Sequence, residues 1–138
     1  YEAVAAAAGA TPLLAYHYPA VSPPGIAVAA LADLPVVGCK DSTGDPDRLL
    51  HTLAVWDGNV YVGSHALISM AAAVGLPGCI LALANAEPER CVRAFVGDGS
   101  AQRELAGAAT ALRTGGFPHG IKALTAARWG TATTTRLG

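Results

Sequence analysis

Apolar and polar positions alternate along the chain in blocks. Residues 12–18 (PLLAYHY), 35–40 (PVVGCK), 59–63 (NVYVG) and 78–84 (GCILALA) are short apolar runs bounded by proline, glycine or asparagine. Each precedes a segment at helical spacing: residues 26–34, 46–55, 66–74 and 88–96. The runs are apolar throughout and do not alternate, which predicts parallel strands covered by helices on both sides. Helix starts are marked. Asp45 is placed to cap with Pro46 at the first helical position, and Asn85 or Ala86 leads into Glu87-Pro88 in the same way. Strand-helix units of this length predict right-handed βα repeats. After Gly97 no strand returns. Residues 101–114 and 120–129 predict two helices joined by a turn at residues 115–118, followed by a threonine-rich tail.

Four βα units fit a small doubly wound sheet or half of an eight-stranded barrel. In either, ligands sit at the C-terminal ends of the strands. Those positions carry Tyr16 and Tyr18, then Lys40 and Asp41, then Gly63, Ser64 and His65, then Asn85. Only two lysines occur in the chain, Lys40 and Lys122. A lysine among apolar strands loses hydration of its charged form, and a neutral amine attacks carbonyls. A tyrosine on the adjacent strand could pass protons to and from the adduct. The competing assignment has Lys40 snorkelling out of the sheet end and the tyrosines packing.

Composition narrows the classes. The chain has 138 residues, is 52% hydrophobic and 14% charged, and carries a formal charge of -1. That describes a globular domain without the basic surface that nucleic acid or an anionic membrane requires. No run resembles a spanning segment of about 20 apolar residues. Cys39, Cys79 and Cys91 form no C-x-x-C pair and fit a reduced, cytoplasmic setting. His17, His51, His65 and His119 show no metal-ligand spacing, so no metal or other cofactor is expected. In a strand, the His17 side chain should face away from the two tyrosines. The loop 41–45 lacks a phosphate-binding fingerprint, which leaves capping and turn formation for Ser42, Thr43 and Asp45.

Taken in order, Tyr16-His17-Tyr18-Pro19, Gly38-Cys39-Lys40-Asp41-Ser42-Thr43-Gly44-Asp45, Val62-Gly63-Ser64 and Gly78-Cys79-Ile80 with Ala84-Asn85 resemble the dihydrodipicolinate synthase / N-acetylneuraminate lyase family. These are Schiff-base aldolases and lyases on a (βα)8 TIM barrel. The resemblance runs along nearly the whole chain. It implies that residues 1–97 are the C-terminal half of the barrel, strands five to eight, and that residues 98–138 are the family's C-terminal helical extension.

The resemblance also implies the chemistry. Lys40 would form the imine with pyruvate or another 2-oxo acid, and Tyr16 would shuttle protons. Gly63 and the main-chain carbonyl of Ile80 would lie against the substrate. Tyr18, Val21 and Ser22 would occupy the variable positions of the binding loop. A small-molecule substrate and a homo-oligomer, dimer or tetramer, are expected.

Two departures matter. The family's dihydrodipicolinate-forming members carry an arginine where this chain has Val21, and the usual Thr-Gly is Ser22-Pro23. Lysine biosynthesis is therefore disfavoured against sugar-acid, hydroxy-oxoglutarate or acylneuraminate chemistry. The sequence also begins at what corresponds to the helix before strand five. The threonines that grip the 2-oxo acid carboxylate, and a second tyrosine supplied across a subunit interface, fall outside it. A half-barrel is expected to expose unpaired edges and to fold poorly or associate when alone. Two alternatives remain: a non-catalytic piece or interaction module keeping its lysine by descent, and a doubly wound nucleotide-binding domain.

Overall fold

The computed structural model describes residues 1–136. The elements in order are α1 (Glu2–Ala8), β1 (Leu14–His17), a 3-10 helix (Val28–Asp33), β2 (Gly38–Asp41), α2 (Pro46–Val55), β3 (Asn59–Val62), a 3-10 turn (His65–Leu67), α3 (Ile68–Ala73), β4 (Gly78–Cys79), a second 3-10 turn (Leu83–Asn85), α4 (Pro88–Phe95), α5 (Gly99–Thr114) and α6 (His119–Trp129). All four strands are parallel and lie in sequence order, β1-β2-β3-β4. The register aligns Tyr16 with Lys40, Lys40 with Tyr61, and Tyr61 with Gly78.

Helices cover one face of this sheet, not both. Ala15, His17, Cys39, Asp41, Val60 and Val62 point to the covered face and are buried. The alternate residues Leu14 and Tyr16, with Ile80 just beyond β4, stand on the other face and are exposed. The strands read as apolar throughout because the open face also carries Leu14, Tyr16, Tyr61 and Ile80. In a closed barrel that face is the packed interior. One-sided cover with strands in sequence order is the arrangement of a barrel segment. A doubly wound sheet would have helices on both sides.

The core forms three clusters in succession behind the sheet. Ala15, Val28, Leu31 and Cys39 pack under β1 and β2. Leu49, Val60, Val62, Ala71 and Leu76 pack under β3. Ile68, Leu83, Cys91, Ala94, Ala101, Leu105 and Ala109 join α3 and α4 to α5. Helices α5 and α6 approach closely at Gly120, where a Cβ would lie 2.2 Å from the Leu112 carbonyl oxygen. Trp129 Nε1 donates to the Asn85 carbonyl at 2.7 Å, tying the end of α6 to the turn after β4.

Several expected elements differ. Of residues 26–34, only Val28–Asp33 are helical, and they form a 3-10 helix. No side chain caps it, and Leu34 is extended (φ -90°, ψ 140°) as the residue before Pro35 tends to be. Residues 66–74 divide into a 3-10 turn and the short α3. The fourth strand shrinks from seven residues (78–84) to two, because among the described residues β4 has no partner strand on its outer side. Its last ladder bond runs from the Ile80 N–H to the Val62 carbonyl at 3.0 Å. Helix α2 starts as the sequence predicts, with Asp45 accepting from the Asp47 and Arg48 amides at 2.9 and 3.2 Å. At α4 the cap position falls on Glu87, which makes no capping bond. Its carboxylate pairs with Arg90 instead, at 2.5 Å.

Candidate active site

Parallel pairing brings Tyr16 and Lys40 side by side at the C-terminal ends of β1 and β2. Both lie on the open face, and Lys40 Nζ sits 4.4 Å from the centroid of the Tyr16 ring. The ring's negative face holds the ammonium by a cation–π contact. The Tyr18 ring follows at 6.2 Å from that of Tyr16, tilted by 40°. The structure therefore gathers Lys40, Tyr16 and Tyr18 into one group.

The other expected site residues are placed differently. Val21 and Ser22 are exposed on the loop after β1, and both amides donate to the Tyr18 carbonyl, at 3.0 and 2.9 Å. Ile80 stands at the open β4 edge, two strands away from Lys40. Gly63 donates its N–H to the Asp41 carbonyl at 2.6 Å. A Cβ at Gly63 would come within 2.0 Å of Ser42 Oγ, so close packing of two loops already demands glycine there.

Asp41 turns away from the group. Its carboxylate lies on the covered face, accepting from the Thr43 amide (2.8 Å), the Thr43 hydroxyl (2.5 Å) and Arg48 Nε (2.8 Å). His17 also faces backwards, as strand alternation predicts, and its Nδ1 accepts from the Ile26 amide at 2.9 Å. Burial, reinforced by the nearby Arg48 charge, lowers its pKa, and Asp41 opposes them. His65 leaves the strand-end group too. It is half-buried, its carbonyl accepts from Gln102 on α5, and burial with the Arg113 charge lowers its pKa.

The cysteines are free and belong to the packed layer behind the sheet. Burial pushes the thiols of Cys39 and Cys79 up to about 11 and raises that of Cys91. Among the described residues, no cluster of three or more His, Cys, Asp or Glu could hold a metal ion. No described helix is long and apolar enough to cross a membrane.

Sequence reasoning missed Tyr61. It is the register partner of Lys40 on the β3 side, shares its face and is half-buried. The signal was available, since Tyr16, Lys40 and Tyr61 each stand one residue before the end of their strands. Clefts of about 260 Å³, lined by Asn85, Lys122 and Thr125 among others, and about 350 Å³, along β4 and α4, lie away from Lys40. Lys40 lies on the open face of the sheet, outside both clefts.

No family model and no curated protein matches the chain. Solved structures do. A 2-keto-3-deoxygluconate aldolase from Sulfolobus, in complex with D-KDPG, superposes with a TM-score of 0.80 at 24% identity, over 88% of this chain and 45% of that one. A Thermus thermophilus protein provisionally described as a dihydrodipicolinate synthase gives 0.75 at 27% identity, over 99% and 55%. The fold is that of the dihydrodipicolinate synthase / N-acetylneuraminate lyase family, in its C-terminal half. An N-acetylneuraminate lyase from Fusobacterium nucleatum, complexed with pyruvate, matches at 0.73 and 18% identity, over 88% and 46%. The chain spans about half the length of these family structures. The open face of this half-barrel thus corresponds to the interior side of a family barrel.

Proposed function

We propose that this chain carries the imine-forming half of a 2-oxo acid aldolase or lyase. The observation that carries the proposal is the Lys40–Tyr16 contact at the C-terminal end of a parallel sheet. Similarity to aldolases and lyases, one bound to D-KDPG and another to pyruvate, supports the substrate class.

In this mechanism, the Lys40 ammonium first gives a proton to water, and the freed Nζ attacks the ketone carbon of pyruvate or a related 2-oxo acid. The ketone oxygen takes up protons and leaves as water, giving the protonated imine. In cleavage, the electron pair of the adjacent C–C bond flows into the imine, and an enamine and an aldehyde result. Condensation runs the same steps backwards. The Tyr16 hydroxyl is assigned to give and take the protons these steps need. Gly63 and the Ile80 carbonyl are assigned to contact with the bound acid, while Tyr18, Val21 and Ser22 are assigned to its partner. Because Val21 stands where the family's dihydrodipicolinate-forming members carry arginine, we assign an aldehyde without the second carboxylate that such an arginine would hold.

Borohydride trapping with pyruvate tests this directly, read by intact mass and peptide mapping. A reduced pyruvyl adduct on Lys40, lost in Lys40→Ala, is expected. A folded chain that gives no adduct would overturn the proposal. It would favour the second reading, a non-catalytic piece that retains the lysine, which the half-length match to the family structures also accommodates.

A further inference from the structure

The residues that follow Tyr16 and Lys40 in sequence form a second register pair, His17 with Asp41, on the opposite face. They anchor a clamp. His17 Nδ1 accepts from the Ile26 N–H at 2.9 Å, and Arg48 Nη2 donates to the Ile26 carbonyl at 2.8 Å. Both main-chain polar groups of one residue are thus held by side chains from β1 and α2. Arg48 Nε donates in turn to Asp41 Oδ2 on β2, also at 2.8 Å. The Arg48 and Asp41 side chains are 17% and 9% exposed, so the pair is largely withdrawn from water and each contact is charge-assisted.

The clamp closes the base of the loop 18–25. One end of that loop leaves β1 at His17, whose carbonyl accepts from the Ser42 amide at 2.9 Å. The other end arrives at Ile26. Just before it, the chain lies against the imidazole: a Cβ on Gly25 would stand 2.8 Å from His17 Cε1. Between these points lie Tyr18, Val21 and Ser22.

We propose that Arg48 and His17 are positioning residues that fix the loop 18–25 beside the Lys40 face, and so govern recognition of the aldehyde partner rather than imine formation. The inference rests on the aldolase reading of Lys40. It goes beyond that reading because both residues act from behind the sheet and neither reaches the substrate. Guanidinium geometry suits the task, since two separate N–H groups bridge a carboxylate and a carbonyl at once. A lysine at this position offers its donors from a single nitrogen and lacks the two-nitrogen fork that meets both acceptors here.

The test compares the wild-type chain with Arg48→Lys, which keeps a charge beside buried Asp41 and so protects folding, and with Arg48→Met. Deuterium exchange reads the loop 18–25. Borohydride trapping reads Lys40 twice: pyruvate alone gives the pyruvyl adduct. With D-glyceraldehyde as the aldehyde probe, the enamine carbon bonds to the aldehyde carbon, the new alkoxide takes a proton, and a heavier adduct forms. Loss of one charge-assisted hydrogen bond predicts loop exchange about tenfold faster in Arg48→Lys, and a glyceraldehyde half-saturation about tenfold higher. The pyruvyl adduct should form at a rate within about twofold of wild type, because Arg48 lies on the far side of the sheet.

Unchanged loop exchange would overturn the positioning role. So would faster exchange with unchanged glyceraldehyde half-saturation, or pyruvyl trapping that slows in step with it. A wild-type chain that traps pyruvate but never the heavier adduct would overturn the specificity role and leave the aldolase reading standing. Absence of any wild-type adduct would overturn the aldolase reading itself, and the specificity role with it.

Discussion

Lys40 Nζ lies 4.4 Å from the centre of the Tyr16 ring, and the two residues are register partners in neighbouring parallel strands. Ring and hydroxyl have separable tasks in this arrangement. In the proposed mechanism the ring face holds the amine in place and the hydroxyl moves protons. Tyr16→Phe keeps the first and removes the second. Pyruvyl trapping on Lys40 should slow by about 10²- to 10⁴-fold in Tyr16→Phe, with the fold retained by circular dichroism. Equal trapping rates would show that Tyr16 only packs.

Gly63 has no room for a methyl group beside Ser42. Gly63→Ala should lower stability by about 1–3 kcal/mol, measured as a fall in the denaturation midpoint. Ser42→Gly removes the nearest obstructing atoms, so the double variant should recover part of the loss. A Gly63→Ala chain as stable as wild type would mean that the loops separate freely.

The buried His17 gives stability a definite pH dependence. Its pKa is lowered from 6.5, so just below that value the unfolded chain binds more protons than the folded one. The contribution of neutral His17 is therefore complete above 6.5 and declines as pH falls towards the folded value. His65, lowered by burial and by Arg113, acts in the same direction. In His17→Asn the side-chain oxygen can still accept the Ile26 N–H and does not titrate. Thermal midpoints between about pH 6.5 and 5 should fall less steeply for this variant than for wild type. Identical slopes would place the titration elsewhere.

Asp45 caps α2 through the Asp47 and Arg48 amides, and Arg48 is the residue that reaches the Ile26 carbonyl. Asp45→Ala should cost about 1 kcal/mol of stability. It should also loosen exchange at the first turn of α2, which is where hydrogen exchange by mass spectrometry would look.

Cys39 and Cys79 should resist alkylation near neutral pH. Burial raises both thiols to about 11, and Cys39 is also shielded, while the thiolate is the reactive form. Quantitative iodoacetamide labelling of the native chain should be slow and become fast on unfolding. Rapid native labelling of Cys79 would show that the sheet opens readily along its β4 edge.

Much of this organisation was legible in the order of residues. Four apolar runs, each followed by a helical segment, determined a parallel sheet, since strands that run the same way need crossovers of that kind. Asp45-Pro46 determined the start of α2 by a purely local bond. Strand alternation alone put His17 on the face opposite Tyr16. Tertiary structure decided what no local pattern carries. It showed that helices cover a single face, because apolar residues on an open half-barrel interior read like those under a helix. It shortened β4, whose length depends on a partner strand and not on its own residues. It sent the Asp41 carboxylate to Arg48, a partner seven residues on, and Arg48 to Ile26, twenty-two residues back. It also set Tyr61 beside Lys40, since register is fixed between strands and not within one.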